Sequence, residues 1–307
     1  MNENELKNRI TGALYGVAVG DAFGAPLEFC STEEIARKHG RVAEMIGGGW
    51  LNVKPGEITD DTQMTLAVAE GIAEEPENPI EAIGERFIAW ARSGPKDIGG
   101  TCSRSIYGAA GGGKRPPEKA WFVASKNTAI ANGNRSGGNG ALMRTVYPGL
   151  YYRGRLMAVE TAVTIAQMTH WNAESNDACE IYTDMIHFIT EAEINPPLQD
   201  LEQMLDRTRY GVESMHGYEL NPTGYVLDSM KCALACFRST MSFKDAIIKA
   251  ANLGGDADTI TAITGGLAGA FYGYNSIPER WTAALAQDVQ KHLDRLADIA
   301  FKNRTTK

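Results

Sequence analysis

Apolar positions in this chain fall mostly three and four residues apart, the spacing of one helical face. Over residues 4–19, Leu6, Ile10, Leu14 and Val17 share a face. Gly12, Gly16 and Gly20 recur at every fourth position there, so a neighbouring helix is expected to pack against this one with close backbone approach. The same period, with a favourable Ala, Leu and Glu content, predicts helices over 62–73 and 79–92. Further helices are expected over 157–168, 177–193, 198–207, 224–238, 243–251, 259–272 and 277–300. Period-two alternation is scarce, and its best instance, 41–46, is short. An all-α fold follows.

The breaks at Lys114-Arg115-Pro116-Pro117 and Asn195-Pro196-Pro197 are loop punctuation without a shift in composition. One domain is therefore expected over 1–301, with 302–307 a frayed polar tail. No repeat of fixed period is visible, which disfavours a solenoid.

Composition narrows the partners. The 307 residues are 43% hydrophobic, enough to bury a large core, and the net charge is −8. Without a dense Lys/Arg run there is no electrostatic footprint for nucleic acid. The start, Met1-Asn2-Glu3-Asn4-Glu5, is acidic where a secretory leader is basic and apolar, and the most apolar stretch, 260–274, is too short and Gly-rich to span a bilayer. A soluble, cytoplasmic protein with no membrane partner is expected. Five scattered cysteines read as reduced thiols; Cys232 and Cys236 are spaced to share a metal but lack companion ligands, so they read as core residues.

The candidate chemistry lies in two short acidic clusters, Thr59-Asp60-Asp61-Thr62 and Asp256-Ala257-Asp258-Thr259, each leading into an apolar helix. Helix capping explains one Asp or Thr per helix start. Each cluster supplies two carboxylates and at least one hydroxyl where one cap residue would suffice. Oxygen donors without Cys or His suit Mg²⁺, Mn²⁺ or Ca²⁺ and not zinc. If the clusters converge, four carboxylates need about two divalent cations to offset their repulsion. Gly254-Gly255, just before the second cluster, permits positive φ and close approach.

Other candidates carry two readings each. Glu28 closes the glycine-punctuated loop 20–29 and is either a desolvated proton shuttle or a side chain pointing to water. Residues 132–140, before the helix-like 141–144, form either a backbone cradle for phosphates or an ordinary flexible loop. His170 either faces a pocket or packs in the core, and His39, His187, His216 and His292 form no cluster. Residues 108–114 match G-x-x-x-x-G-K, but Arg115 replaces the Ser or Thr that would hold Mg²⁺ and Pro116-Pro117 replaces the helix, so the match is a decoy. No nucleophile elbow or triad signature is present.

Together these motifs resemble the ADP-ribosylglycohydrolase family. The carriers are GALYGVAVGDAFGAPLEF (12–29), ITDDTQMTLAVAEGI (58–72), SGGNGALMR (136–144), THW (169–171), GYVLDSMKCALACF (224–237) and NLGGDADTITAITGGLAGAFYG (252–273). The resemblance implies a single-domain orthogonal helical bundle with two Mg²⁺ or Mn²⁺ ions at the base of a cleft. It implies that Thr59, Asp60 and Asp61 bind one side of the metal pair and Asp256, Asp258 and Thr259 the other, with Asp258 bridging. Glu28 is implied beside the scissile ribose, outside the metal shell and handling protons, so that Glu28, Asp61, Asp258 and Asp97 form the catalytic set. Ser136, Gly137, Gly138, Asn139 and Gly140 are implied to hold the diphosphate, and His170 to lie near the ribose. Asp97 and Gly100, in the segment 94–101, would border the ribose and the arginine-directed rim, with Tyr218 or else Tyr225 stacking on adenine. Trp171 departs from the family, where many relatives carry Pro.

The implied activity is metal-dependent hydrolysis of the glycosidic bond between ADP-ribose and a modified residue, foremost arginine on a protein. The partner is then an ADP-ribosylated protein or a small ADP-ribosyl conjugate, met by a monomer or weak oligomer. Two rivals stand beside it: a catalytically silent ADP-ribose-binding, immunity or structural protein of the same fold, and a metal-dependent phosphohydrolase.

Overall fold

Glycines on the first helix decide what lies at the centre of the molecule. The computed structural model describes residues 2–306 apart from 112, 194, 195, 197, 207 and 212–218. Its α-helices among the described residues are α1 (Glu3–Gly24), α2 (Thr32–His39), α3 (Asp60–Glu74), α4 (Ile80–Arg92), α5 (Gly100–Ala110), α6 (Glu118–Ala131), α7 (Val146–Tyr151), α8 (Arg155–Gln167), α9 (Ala173–Glu191), α10 (Leu198–Leu205), α11 (Val226–Arg238), α12 (Phe243–Ala251), α13 (Ala257–Tyr272), α14 (Glu279–Thr282) and α15 (Gln287–Thr305). The fold is all-α: the described residues contain no strand, only isolated bridges at Gly48–Val53 and Gly138–Tyr225.

Helices α1 and α13 run antiparallel in backbone contact. A Cβ built on Gly12, Gly16, Gly20 or Gly24 would come within 2.3, 2.0, 2.2 and 2.3 Å of the carbonyl oxygens of Gly269, Gly265, Thr261 and Ala257. No other residue type fits there without moving the partner backbone. The close approach expected from the glycine spacing is thus realised, and it brings the end of α1 to the start of α13. The segment 3–27 is long and apolar enough to cross a membrane, yet its apolar stretch is buried inside the fold as a core helix. One buried apolar cluster reaches from Leu6 on α1 to Ala300 on α15.

Several elements differ from expectation. Helices α2, α5, α6 and α7 carry no strong apolar stripe; α2 buries only Ile35 and is held by a capping box between Ser31 and Glu34. The single helix expected over 277–300 is two, α14 and α15. Helix α15 continues to Thr305, so 302–305 is not a frayed tail. Arg304 is buried and donates to the Gly149 and Leu150 carbonyls, both at 3.2 Å, and pairs with Glu191. The strand candidate 41–46 is loop, pinned where Val42 exchanges hydrogen bonds with the Asn252 side chain and Glu44 accepts from the Trp281 indole. All five cysteines are free, and Cys232 and Cys236 pack in an apolar cluster with Ala250 and Ile260.

Candidate active site

The start of α3 is fastened to α1 by one carboxylate. Asp21, fully buried, accepts from the Thr59 backbone N–H at 2.9 Å, the Thr59 hydroxyl at 2.7 Å, the Thr62 N–H at 3.1 Å and the Thr62 hydroxyl at 2.5 Å. Those donors include backbone groups that a helix start leaves unpaired. Burial raises the Asp21 carboxyl above its ordinary value, and the hydrogen bonds from Thr62 and Thr59 oppose that rise. Because the Thr59 hydroxyl spends its only proton on Asp21, its lone pairs are left to accept or to ligate.

The two Asp/Thr clusters, distant in sequence, converge here. The Thr259 hydroxyl donates to Asp61 Oδ2 at 3.3 Å across the junction of α3 and α13. Asp61 Oδ1 is buried with no hydrogen-bond partner. One carboxylate oxygen each from Glu28, Asp256 and Asp258 lie within 4.8 Å of one another. Burial first, and then the like charge of neighbouring carboxylates, hold Asp60, Asp61 and Asp258 well above the ordinary carboxylate range. No Lys or Arg among the described residues pairs with any of these acids. Crowded carboxylates, an orphaned oxygen and threonine hydroxyls are a donor set that fits hard divalent cations.

Above the acids opens a cleft of about 320 Å³ lined by Glu28, Asp60, Asp97, Gly100, Gly138, Asn139, Gly140, His170, Asp256, Asp258 and Thr259, among others. Thr59 and Asp61 lie beneath this lining, buried. Glu28 leaves α1 through the 3₁₀ turn Ala25–Leu27 and accepts from the Trp50 indole N–H at 2.5 Å. Burial chiefly pushes the Glu28 carboxyl up to about 7, with Asp256 and Asp97 adding and Trp50 opposing. Glu28 thus stands among the carboxylates of the cleft, beside Asp256 and Asp258.

The glycine loop differs in detail from a simple anion cradle. Gly138 and Gly140 line the cleft, and Gly137 lines an adjoining recess with Tyr225, Asn172 and Glu174. The loop is stitched to residues 224–226: the Asn139 N–H donates to Gly224 O at 3.0 Å and the Val226 N–H to Gly137 O at 2.8 Å. The Asn139 side chain faces the acids, donating to Asp256 Oδ2 at 2.5 Å and Ser229 Oγ at 2.8 Å. Ser136 is buried with an unpartnered hydroxyl and lines neither cavity. The helix expected at 141–144 is a 3₁₀ turn, Leu142–Arg144. Tyr218 lies outside the described residues; Tyr225, at the recess, donates to Glu174.

The sequence model of the ADP-ribosylglycohydrolase family matches residues 2–307. The chain belongs to that family. It is 34% identical over 301 residues to the ADP-ribosyl-[dinitrogen reductase] glycohydrolase of Rhodospirillum rubrum, covering 97% of each chain. Against an ADP-ribosylarginine hydrolase of Serratia proteamaculans the identity is 31%, covering 97% of this chain and 80% of that one. A solved structure described as an ADP-ribosylglycohydrolase-related protein complex superposes with a TM-score of 0.75 at 27% identity, covering 98% of this chain and 100% of the other. The family comprises hydrolases acting on glycosidic bonds, and this chain is one of them.

In this ADP-ribosylglycohydrolase, residues that sequence reasoning passed over organise the ones it named. Asp21 fell within the loop expected over 20–29, but it lies inside α1 on a buried face, where a carboxylate has to be paired. Trp50 lies in a loop whose Gly49, with φ +69°, packs against the Pro26 backbone and so carries the indole to Glu28. Arg144, fully buried beneath the cleft, has no local signal at all.

Proposed function

We propose that this chain removes ADP-ribose from arginine side chains of modified proteins by hydrolysing the N-glycosidic bond, with two Mg²⁺ or Mn²⁺ ions. The observation that carries the reading is the convergence of both Asp/Thr clusters with Glu28 under one cleft, with no Lys or Arg among the described residues paired to them. Asp60, Asp61, Asp256 and Asp258 would hold the ions with Thr59 and Thr259, and Glu28 completes the set from the α1 side. When bound, such ions polarise ribose hydroxyls and lower the pKa of a bound water. The relative named as an ADP-ribosylarginine hydrolase supports the arginine linkage.

The chain's own groups then divide the work. Glu28, steadied by Trp50, receives the proton of the water that attacks the anomeric carbon. Asp97 and Gly100 border the leaving guanidine. Gly138 and Gly140, lacking side chains, let the diphosphate approach the backbone. His170 supplies a hydrogen bond to a ligand oxygen. Ser136 is left out of the diphosphate contacts, because its hydroxyl is buried away from both cavities. A single domain carries the activity, and its free thiols suit a reducing compartment such as the cytoplasm.

A release assay tests the reading. Purified protein is given Arg-linked and Ser-linked ADP-ribosyl substrates with Mg²⁺, Mn²⁺ or chelator. Metal-dependent release of ADP-ribose from the Arg-linked substrate is expected. Binding of ADP-ribose without turnover would instead favour the silent binder, and release of phosphate the phosphohydrolase.

A further inference from the structure

Arg144 is a buried guanidinium with no carboxylate partner among the described residues. It donates to Gly140 O at 2.9 Å, Ile165 O at 3.3 Å and Thr169 Oγ1 at 2.6 Å, contacts Cys102 Sγ at 3.6 Å, and packs over the Phe87 ring at 4.7 Å. A buried cation without a counter-charge is costly, so a structure that keeps one uses it for something else. Thr169 Oγ1 also lies 2.8 Å from His170 Nδ1, and the other edge of that ring faces the glycine loop: a Cβ on Gly138 would come within 3.2 Å of His170 Nε2.

Proton counting decides which way this chain runs. Arginine only donates, so Arg144 occupies a lone pair of Thr169 Oγ1 and leaves the single hydroxyl proton to go elsewhere. Its possible acceptors are the neighbouring Cys102 sulfur, a weak one, and His170 Nδ1, a strong one. Donation to Nδ1 forces the ring proton onto Nε2, on the cleft side. We propose that Arg144, acting through Thr169, locks His170 as a neutral Nε2–H donor presented to an oxygen acceptor of the ligand beside Gly138 and Gly140. His170 is then a fixed recognition group and not a proton shuttle, while Arg144 and Thr169 are positioning residues; the same guanidinium holds the Gly140 carbonyl. Burial, with Arg144 second, pushes the imidazole down to about 3, which agrees with a ring that stays neutral.

The inference rests on the cleft being the ADP-ribose site, but its first test does not. Long-range ¹H–¹⁵N correlation spectra of ligand-free, ¹⁵N-histidine-labelled protein report the tautomer directly. His170 is expected neutral at pH 6 with its proton on Nε2. Thr169→Val should abolish the single tautomer and raise KM for the ADP-ribosyl substrate ~10-fold at nearly constant kcat, the value of one good hydrogen bond. Thr169→Ser should restore both. A proton on Nδ1, a charged ring at pH 6, or a Thr169→Val protein with the parent's tautomer and KM would overturn the relay. Failure of the substrate assignment reads differently: an Nε2–H ring in ligand-free protein that releases no ADP-ribose.

Discussion

Asp21 and Asp258 show how unequal two neighbouring carboxylates are. Asp258 lines the cleft and meets the other acids, whereas Asp21 faces Thr59 and Thr62 and never reaches the cavity. Asp258→Asn removes a charge from the proposed metal site, so activity should fall by more than the ~10–100-fold typical of changes in the supporting shell. Asp21→Asn keeps the shape but turns an amide toward N–H donors, so Mg²⁺ affinity should fall within that ~10–100-fold range while far-UV circular dichroism is unchanged. Calorimetric titration of both variants checks the order; parental Mg²⁺ affinity in Asp21→Asn would mean that the start of α3 is held by something else. Donor types at 59–62 and 256–259 were legible in the sequence because hard-cation chemistry is written in residue identity. The role of Asp21 was not, because it depends on which helix start lies opposite.

At the scale of elements, the α1–α13 contact sets the site. The four-residue glycine spacing announced a close-packed helix, and the partner proved to be the helix that begins with the second Asp cluster. Gly16→Ala tests it. Alanine gains up to ~1 kcal/mol of helix propensity, but its Cβ would stand 2.0 Å from Gly265 O, a clash with backbone that cannot rotate away. Overpacking of this kind costs ~1–3 kcal/mol or more, so the melting temperature should fall by several degrees. An unchanged or higher melting temperature would show that the helices are not in backbone contact. Helices α5 and α6 were missed because their sequences, GTCSRSIYGAA and EKAWFVASKNTAIA, are too rich in small residues for a stripe to stand out. Those helices nevertheless matter, since α5 begins at the cleft residue Gly100.

The whole molecule stores like charge, and its stability should depend on pH in a definite direction. Asp60, Asp61, Asp256, Asp258 and Glu28 are all raised, Glu28 to about 7, so without metal the folded state keeps protons that the unfolded chain releases near pH ~4. That stabilisation is complete below the unfolded value and is lost as pH rises through the folded values. His170 works oppositely, costing stability as pH falls from 6.5 toward 3, so the clean window lies above its ordinary value. Between pH ~6.5 and ~8.5 the chelated protein should lose ~2 °C or more of melting temperature, and saturating Mg²⁺ should remove the slope. A flat or rising profile in chelator would contradict the carboxylate cluster. What the sequence determined alone is the helical periodicity, the glycine stripe and the oxygen-donor character of two segments, because each depends on residue identity and near spacing. Only the tertiary structure decided that those segments share one cleft, that Glu28 joins them, and that Asp21 and Arg144 hold the pieces in place. Such facts depend on which helix faces meet across the fold, and neither periodicity nor composition carries that distance.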